Sequence, residues 1–109
     1  MPPGSTRSSV LVRTVLNAPG ITVVFTSPTD RFCLIKTVTF FNAGGSSGEV
    51  GLGSRSGGTA DVFWLVRTDL ASNKMAANET WSVLEPGDEL VAFGAVPPTR
   101  VAVYGTILR

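Results

Sequence analysis

Short apolar segments separated by turn-forming residues run along the whole chain, and this alternation is the strongest constraint on its fold. The segments are rich in β-branched and aromatic residues, which favour strands. They cover residues 10–16, 21–26, 32–42, 49–53, 60–67, 79–84, 89–94 and 100–108. Proline, glycine, serine, asparagine and aspartate fill the intervals, as is typical of turns. The pattern predicts an all-β fold of about eight short strands, an antiparallel β-sandwich of the jelly-roll or immunoglobulin-like kind, with a small barrel as the alternative.

Length and composition predict a single domain with its own core. A chain of 109 residues fits one domain, and at this size folding hides roughly two thirds of the surface that the unfolded chain exposes. We place the β-sandwich domain at residues 10–109. Residues 1–9 include Pro2, Pro3, Gly4 and several serine and threonine residues. They offer too little apolar surface to join a core, so we expect a flexible N-terminal arm.

A single cysteine and a single stretch of helical composition stand out from the strand pattern. As the single cysteine, Cys33 excludes an internal disulfide. Its apolar surroundings, Phe-Cys-Leu-Ile, predict a small buried side chain, with a reactive thiol or an intermolecular bridge as the alternative. Residues 70–77, LASNKMAA, are marginal in length for a helix. We therefore predict a loop or a single turn there, before the next strand begins at residue 79.

The charge balance argues against nucleic acid and membranes as partners. The chain is 43% hydrophobic and 16% charged, a composition outside that of intrinsically disordered proteins. Its net charge of +1 gives no excess of positive charge with which to bind a polyanion. No run approaches the roughly 18 apolar residues of a membrane span, and the N-terminal residues are too polar for a signal peptide. We expect a soluble protein, made in the cytoplasm, that recognises partners by shape and apolar contact.

The residue inventory argues against an enzyme. Histidine is absent, which removes the side chain that most often serves as a general base, a triad member or a transition-metal ligand. The 8 acidic residues do not follow a calcium-loop spacing, and no glycine-rich loop ends in Gly-Lys-Ser or Gly-Lys-Thr to hold a phosphate. A carboxylate pair of the glycosidase type stays open. The sequence predicts no catalytic residues, no cofactor and no metal site.

The acidic stretch Glu-Pro-Gly-Asp-Glu predicts a corner between two strands. Pro86 fixes φ for the second position of a type II turn, and Gly87 supplies the positive φ that the third position requires. We expect Asp88 to bond backbone amides just after the turn, with Glu85 and Glu89 flanking it as solvated strand ends. An acidic contact with a basic partner surface is the alternative.

Two predicted strands carry large apolar side chains on both faces. In residues 60–67 the alternation places Trp64 on one face and Phe63 and Leu65 on the other, and residues 32–41 are similar. A strand that is apolar on both faces is either covered on both or in contact with another subunit, which indicates assembly. Our candidate partner-binding residues are Pro2, Pro3, Arg7, Phe63 and Leu65.

The two tryptophans have three possible roles. We predict core and inter-sheet packing for Trp64 and Trp81, with a sugar-stacking platform or an interface anchor as the alternatives. Exposure separates these roles. A binding platform keeps an indole in solvent beside polar partners, whereas a structural subunit buries both rings.

The second part of the chain has the order of elements of a known class. A strand ending in Thr-Phe-Phe-Asn at residues 39–42 is followed by a glycine- and serine-rich loop and a short strand. The segment 78–90, NETWSVLEPGDEL, and a closing strand come next. Over residues 32 to 109 this order resembles that of small β-sandwich virion structural proteins of tailed bacteriophages.

That resemblance implies a non-enzymatic capsid decoration, or cement, protein that binds and stabilises the phage head surface as an oligomer. Its partners would be the major capsid protein or other virion proteins and further copies of itself, with a trimer as one option, and its location would be the virion. A tail, baseplate or fibre accessory protein is the alternative within the class. Outside the class, a carbohydrate-binding β-sandwich would use Trp64, Trp81 or Tyr104 for stacking.

Overall fold

The computed structural model describes residues 9–57 and 61–108, which form eight strands in two antiparallel sheets. The strands are β1 (Ser9–Leu16), β2 (Thr22–Thr26), β3 (Cys33–Asn42), β4 (Gly48–Arg55), β5 (Phe63–Leu70), β6 (Met75–Leu84), β7 (Glu89–Gly94) and β8 (Thr99–Ile107). No helix occurs in these two ranges. The predicted all-β sandwich of eight short strands in a single domain is confirmed.

The strand order identifies the sandwich as a jelly roll. Sheet A has the order β1-β8-β3-β6, and sheet B has the order β2-β7-β4-β5. Of the strands described, only β4 and β5 are both consecutive in the chain and paired with each other. An eight-stranded double sheet interleaved in this way is a jelly roll, one of the two predicted topologies. The first and last strands lie side by side, with Ser9 opposite Gly105 and Leu16 opposite Thr99.

The core lies between the two sheets and follows the period-two alternation of the strands. Its buried side chains include Cys33, Ile35, Val38 and Phe40 from β3, Val50 and Leu52 from β4, Leu90 and Ala92 from β7, and Val101 and Val103 from β8. The predicted burial of Cys33 is confirmed, and its Sγ lies 3.3 Å from the Oγ of Ser27, which is also buried.

The segment 70–77 differs from the predicted loop. β5 extends to Leu70, which is buried, and the turn takes only residues 71–74 before β6 begins. Ala76 already pairs with Phe40 in the ladder between β6 and β3. Pairing with a central strand of sheet A therefore outweighs the low strand propensity of alanine and asparagine.

The predicted corner between β6 and β7 is confirmed. Gly87 has a φ of 82°, and the amide of Asp88 donates to the carbonyl oxygen of Glu85 at 3.0 Å, which closes the turn. Two details differ from the expectation. The Asp88 carboxylate accepts a hydrogen bond from the Glu85 amide at 3.1 Å, before the turn rather than after it. Glu89 is not a solvated strand end, because its Oε1 lies 2.8 Å from the Nε of Arg55 and both side chains are mostly buried.

Replacing the turn glycine is expected to lower stability through the backbone alone. A Cβ at Gly87 would meet no atom within 4 Å, so the cost of Gly87→Ala comes from the positive φ and should be about 1 kcal/mol of unfolding free energy. Urea denaturation at constant m-value measures this change. Glu85→Gln, at an exposed position of the same turn, is the control and should stay within about 0.5 kcal/mol. Equal stabilities for the two variants would contradict the prediction.

Candidate interaction surface

The outward side of sheet A is an apolar surface open to solvent. On each of the four strands, outward-facing residues alternate with buried ones, and the outward-facing residues of paired strands lie opposite each other. Phe41, for example, lies opposite Met75 on one side and Arg100 on the other. We define the outer face of sheet A as Val10, Arg13 and Val15 from β1, Arg100, Ala102 and Tyr104 from β8, Leu34, Lys36, Thr37, Thr39 and Phe41 from β3, and Met75, Ala77, Glu79, Trp81 and Val83 from β6.

Large apolar side chains on this face are exposed at both edges of the sheet. On β6, Met75, Trp81 and Val83 are 69%, 59% and 55% exposed, and on β1, Val10 and Val15 are 41% and 46% exposed. Single exposed apolar residues are ordinary, but several on one face mark a binding surface. The outer face of sheet A is therefore the candidate interaction surface.

The edge strand β6 turns its more apolar side to solvent. Its exposed positions are those of Met75, Ala77, Glu79, Trp81 and Val83, and its less exposed positions are those of Ala76, Asn78, Thr80, Ser82 and Leu84. Most of the inward positions therefore carry small or polar side chains. Thr80 satisfies its hydroxyl by donating to the carbonyl oxygen of Ile35 at 2.9 Å. A half-buried strand normally has the opposite arrangement.

Trp81 does not pack between the sheets, so the prediction of core packing is wrong for this residue. It lies in a β-bulge: Ile35 pairs with Ser82 but Thr37 pairs with Glu79, which leaves one extra residue on β6. Its φ is 46°, a left-handed conformation that is rare for a bulky residue. Size suggested a core position, but the alternation of β6 turns the ring outward.

Polar neighbours hold the Trp81 indole in place. Its Nε1 donates to the Oε2 of Glu79 at 2.7 Å, and the Nζ of Lys36 lies 6.0 Å from the ring centroid, within the range of a cation–π contact. Backbone strain at a residue of this kind is characteristic of functional positions. An exposed and fixed indole suits an interface anchor or a stacking platform.

Part of the outer side of sheet B, by contrast, is covered by its own side chains. Trp64 and Phe93 pack edge to face with their ring centroids 5.2 Å apart, and the guanidinium of Arg67 lies 5.0 Å and 5.4 Å from these rings. The Nη2 of Arg67 is 2.7 Å from the Oε1 of Glu49. Gly51, opposite both Arg67 and Phe93, leaves the space that they occupy. Trp64 is thus half-buried on the outside of sheet B rather than packed between the sheets.

A depression of about 280 Å³ lies in the outer face of sheet A. Its lining includes Arg13 and Val15 of β1, Phe41 of β3, Met75 of β6, and Arg100 and Ala102 of β8. The guanidinium of Arg100 lies 5.8 Å from the centroid of the Phe41 ring. Because all four strands contribute to the lining, only the folded sheet brings these side chains together.

The predicted partner-binding residues do not converge on this face. Phe63 is 76% exposed at the start of β5, an edge strand of sheet B, whereas Leu65 is half-buried and packs against the core. Pro2, Pro3 and Arg7 lie outside the residues that the structure describes. Sequence reasoning missed the depression because its lining comes from segments far apart in the chain.

Within residues 9–57 and 61–108, no three cysteine, aspartate or glutamate side chains group closely enough to hold a metal ion. No helix in those ranges is long and apolar enough to span a membrane.

Comparisons with known proteins identify the fold. No protein family matches the chain, and no curated protein matches it either. The Tobacco streak virus coat protein is 10% identical with a TM-score of 0.55, and the match covers 100% of this chain and 90% of that one. PirA is 10% identical with a TM-score of 0.53, covering 90% and 91% of the two chains. The Drosophila NLP core, whose structure bears on pentamer formation and histone binding, is 7% identical with a TM-score of 0.52, covering 96% and 99%. At such identities the likeness shows the fold alone.

Proposed function

We propose that this protein is a non-enzymatic structural component of a virion, a decoration protein that binds the major capsid protein through the outer face of sheet A. The observation that carries the proposal is the inverted pattern of β6, which exposes Met75, Trp81 and Val83 while smaller and more polar side chains face inward. Exposing the apolar side of a strand is unfavourable unless a partner covers it. The fold shared with a virus coat protein supports a partner in a virus particle by analogy.

The exposed side chains can supply the energy that such binding needs. Fully burying a valine or methionine side chain contributes about 1.5 to 3 kcal/mol, and side chains that are already partly covered contribute about 1 kcal/mol each. A decoration protein binds a lattice of identical sites, so a modest contact per copy is enough when the copies are linked to one another.

Copies of the chain are proposed to associate through sheet B, as a homo-oligomer with a trimer as one option. Phe63 is the proposed contact between copies, because it is a largely exposed aromatic residue at an edge of the sheet that faces away from the candidate surface. Leu65, which packs against the core, would support this strand rather than contact the partner.

Lattice binding tests the function directly. The protein would be mixed with purified capsids and, separately, with tails of the virus that carries the gene, and occupancy would be measured by sedimentation and electron microscopy. Trp81→Asn removes the indole yet suits the backbone, because asparagine tolerates a positive φ. We expect capsid binding weaker by about tenfold or more, with an unchanged or higher melting temperature.

The matched control is Ile21→Asn, an exposed apolar residue in the loop before β2 and away from the outer face of sheet A. It should bind capsids like the unmodified chain. Binding to tails alone would favour the tail, baseplate or fibre alternative. Binding to neither particle would overturn the virion proposal.

The N-terminal arm, with Pro2, Pro3 and Arg7, is proposed as a second lattice contact. Because β1 begins at Ser9, a chain that starts there keeps all eight strands of the described residues, and its melting temperature should equal that of the full chain. Its capsid binding should be weaker, since contacts of the extended arm are lost while the core is untouched. Equal occupancy for the two chains in side-by-side sedimentation would remove the arm from the mechanism.

The exposure of Trp81 also favours a second candidate, a carbohydrate-binding module. Its indole is in solvent beside Glu79 and Lys36, the arrangement expected of a stacking platform. A glycan array together with titration of tryptophan fluorescence separates the two functions. Saccharide binding that Trp81→Asn abolishes, with no capsid binding by the unmodified chain, would establish the module instead.

A further inference from the structure

We infer that the depression in the outer face of sheet A binds a carboxylate flanked by apolar side chains, presented by a segment of the partner protein. This inference rests on the proposed function, because it names the chemistry of the partner at the same surface. Two observations carry it: a pair of arginines without an ion pair, and an apolar lining beside them.

The two arginines are held close together by the register of β1 and β8. Arg13 lies opposite Ala102 and Val15 lies opposite Arg100, so the two cations are diagonal neighbours, about 7 to 8 Å apart at the backbone. In the part of the chain that the structure describes, no ion pair involves either of them. Neither cation has a carboxylate partner there, so a carboxylate placed between them would gain charge-assisted hydrogen bonds that the protein itself does not supply.

The lining of the depression suits a short segment with aliphatic side chains. Val15, Phe41 and Met75 supply its apolar part, and Phe41 also lies within cation–π range of Arg100 at 5.8 Å, which holds that guanidinium beside the opening. A volume of about 280 Å³ is at the lower limit of ligand pockets. It accommodates one or two side chains of a partner rather than a large ligand.

The charge of the outer face of sheet A indicates which kind of segment binds the depression. The outer face of sheet A carries Arg13, Arg100 and Lys36 against one carboxylate, Glu79, which already accepts from Trp81. Two copies docked through this face would bring one positively charged face against another, and like charges oppose association. The complementary occupant is thus an acidic and apolar segment of another protein.

Binding of synthetic peptides tests the inference on the intact protein. The probe is acetyl-Leu-Asp-Leu-Glu-Leu-amide, and the matched control peptide replaces its acids by Asn and Gln. Amide chemical shifts in NMR spectra measure affinity and position together. We expect the acidic peptide to shift Thr39 and Ala102, and the neutral peptide to bind about tenfold more weakly. Raising the salt concentration should weaken only the acidic peptide.

Variants of the protein separate specific recognition of the carboxylate from nonspecific electrostatic attraction between the peptide and the protein surface. The double variant Arg13→Gln and Arg100→Gln should lose about tenfold or more in affinity for the acidic peptide. Arg31→Gln, which removes an exposed cation outside this face, should leave the affinity unchanged. Equal binding of both peptides, no binding of either, or an equal loss in both variants would overturn the inference.

Failure of this inference can be distinguished from failure of the proposed function. If the peptides do not bind but Trp81→Asn still reduces capsid occupancy, the function stands and the carboxylate contact is wrong. If the acidic peptide binds but the protein binds neither capsids nor tails, the depression recognises such a segment in a protein outside the virion, and the decoration role is wrong.

Discussion

Gly105→Ala is expected to destabilise the protein strongly, by about 3 kcal/mol of unfolding free energy. A Cβ at this position would overlap the carbonyl oxygen of Leu34 and lie 3.0 Å from the Cδ1 of Leu11. The first of these atoms belongs to the backbone of a central strand and cannot rotate away. Relief therefore requires β3 and β8 to separate, at the cost of their ladder.

The close approach at Gly105 comes from irregularities that line up across sheet A. The pairing of β1 with β8 shifts at Leu11, and the pairing of β3 with both of its neighbours shifts between Ile35 and Thr37. Such bulges bend and twist a sheet locally. A residue without a side chain is needed where three strands bend at one level.

Chemical denaturation of Gly105→Ala and of a control measures this effect. Gly45→Ala is the control, because the Cβ would meet no atom within 4 Å and the residue is exposed in the loop before β4. The control should change stability by less than about 0.5 kcal/mol. A Gly105→Ala protein that unfolds at the same denaturant concentration as the control would show that sheet A adapts to the side chain.

Asn42→Ala is expected to cost about 3 kcal/mol, because it removes three hydrogen bonds from a buried position. The Nδ2 of Asn42 donates to the carbonyl oxygens of Ser46 and Leu70, both at 2.9 Å, and its Oδ1 accepts from the amide of Gly44 at 2.9 Å. The residue is only 1% exposed. One side chain thus joins the end of β3 to the end of β5 and to the loop before β4.

The loss of unfolding free energy in Asn42→Ala arises mainly from backbone groups that are left without a hydrogen-bond partner. The Leu70 carbonyl and the Gly44 amide belong to buried residues, so water does not easily replace the lost partner. Thermal unfolding compared with Asn17→Ala, at an exposed position, measures the difference, and the control should melt like the unmodified chain. A change below about 1 kcal/mol for Asn42→Ala would mean that water enters the loop and satisfies both groups.

The strands were predictable where local pattern and tertiary pairing agree. β7 was predicted at residues 89–94 and lies there, because an apolar run with a Pro-Gly turn before it and a Pro-Pro loop after it leaves few alternatives. The start of β6 was not predictable, since Met75 to Asn78 have little strand propensity and are held by their pairing with β3. The choice of jelly roll over an immunoglobulin-like sandwich was also left open, because it depends on which distant strands pair.

The candidate surface was harder to predict than the fold. Trp81 and Val83 alternate with polar residues as a core-facing pair would, and only the three-dimensional structure reveals that this side of β6 faces solvent. Arg13 and Arg100 are far apart in the sequence and become neighbours through the pairing of β1 with β8. Neither fact is encoded in a local motif.

The side-by-side arrangement of β1 and β8 has a mechanical consequence. The two strands are antiparallel, and the start of β1 lies beside the end of β8, with Ser9 opposite Gly105. A pull on the start of β1 against the end of β8 would load their hydrogen bonds one after another, as in a zipper, and not all together in shear. Because β1 is an edge strand, it could peel away while β8 stays paired with β3. A subunit pulled from the start of β1 would then yield gradually under tension, starting from Ser9.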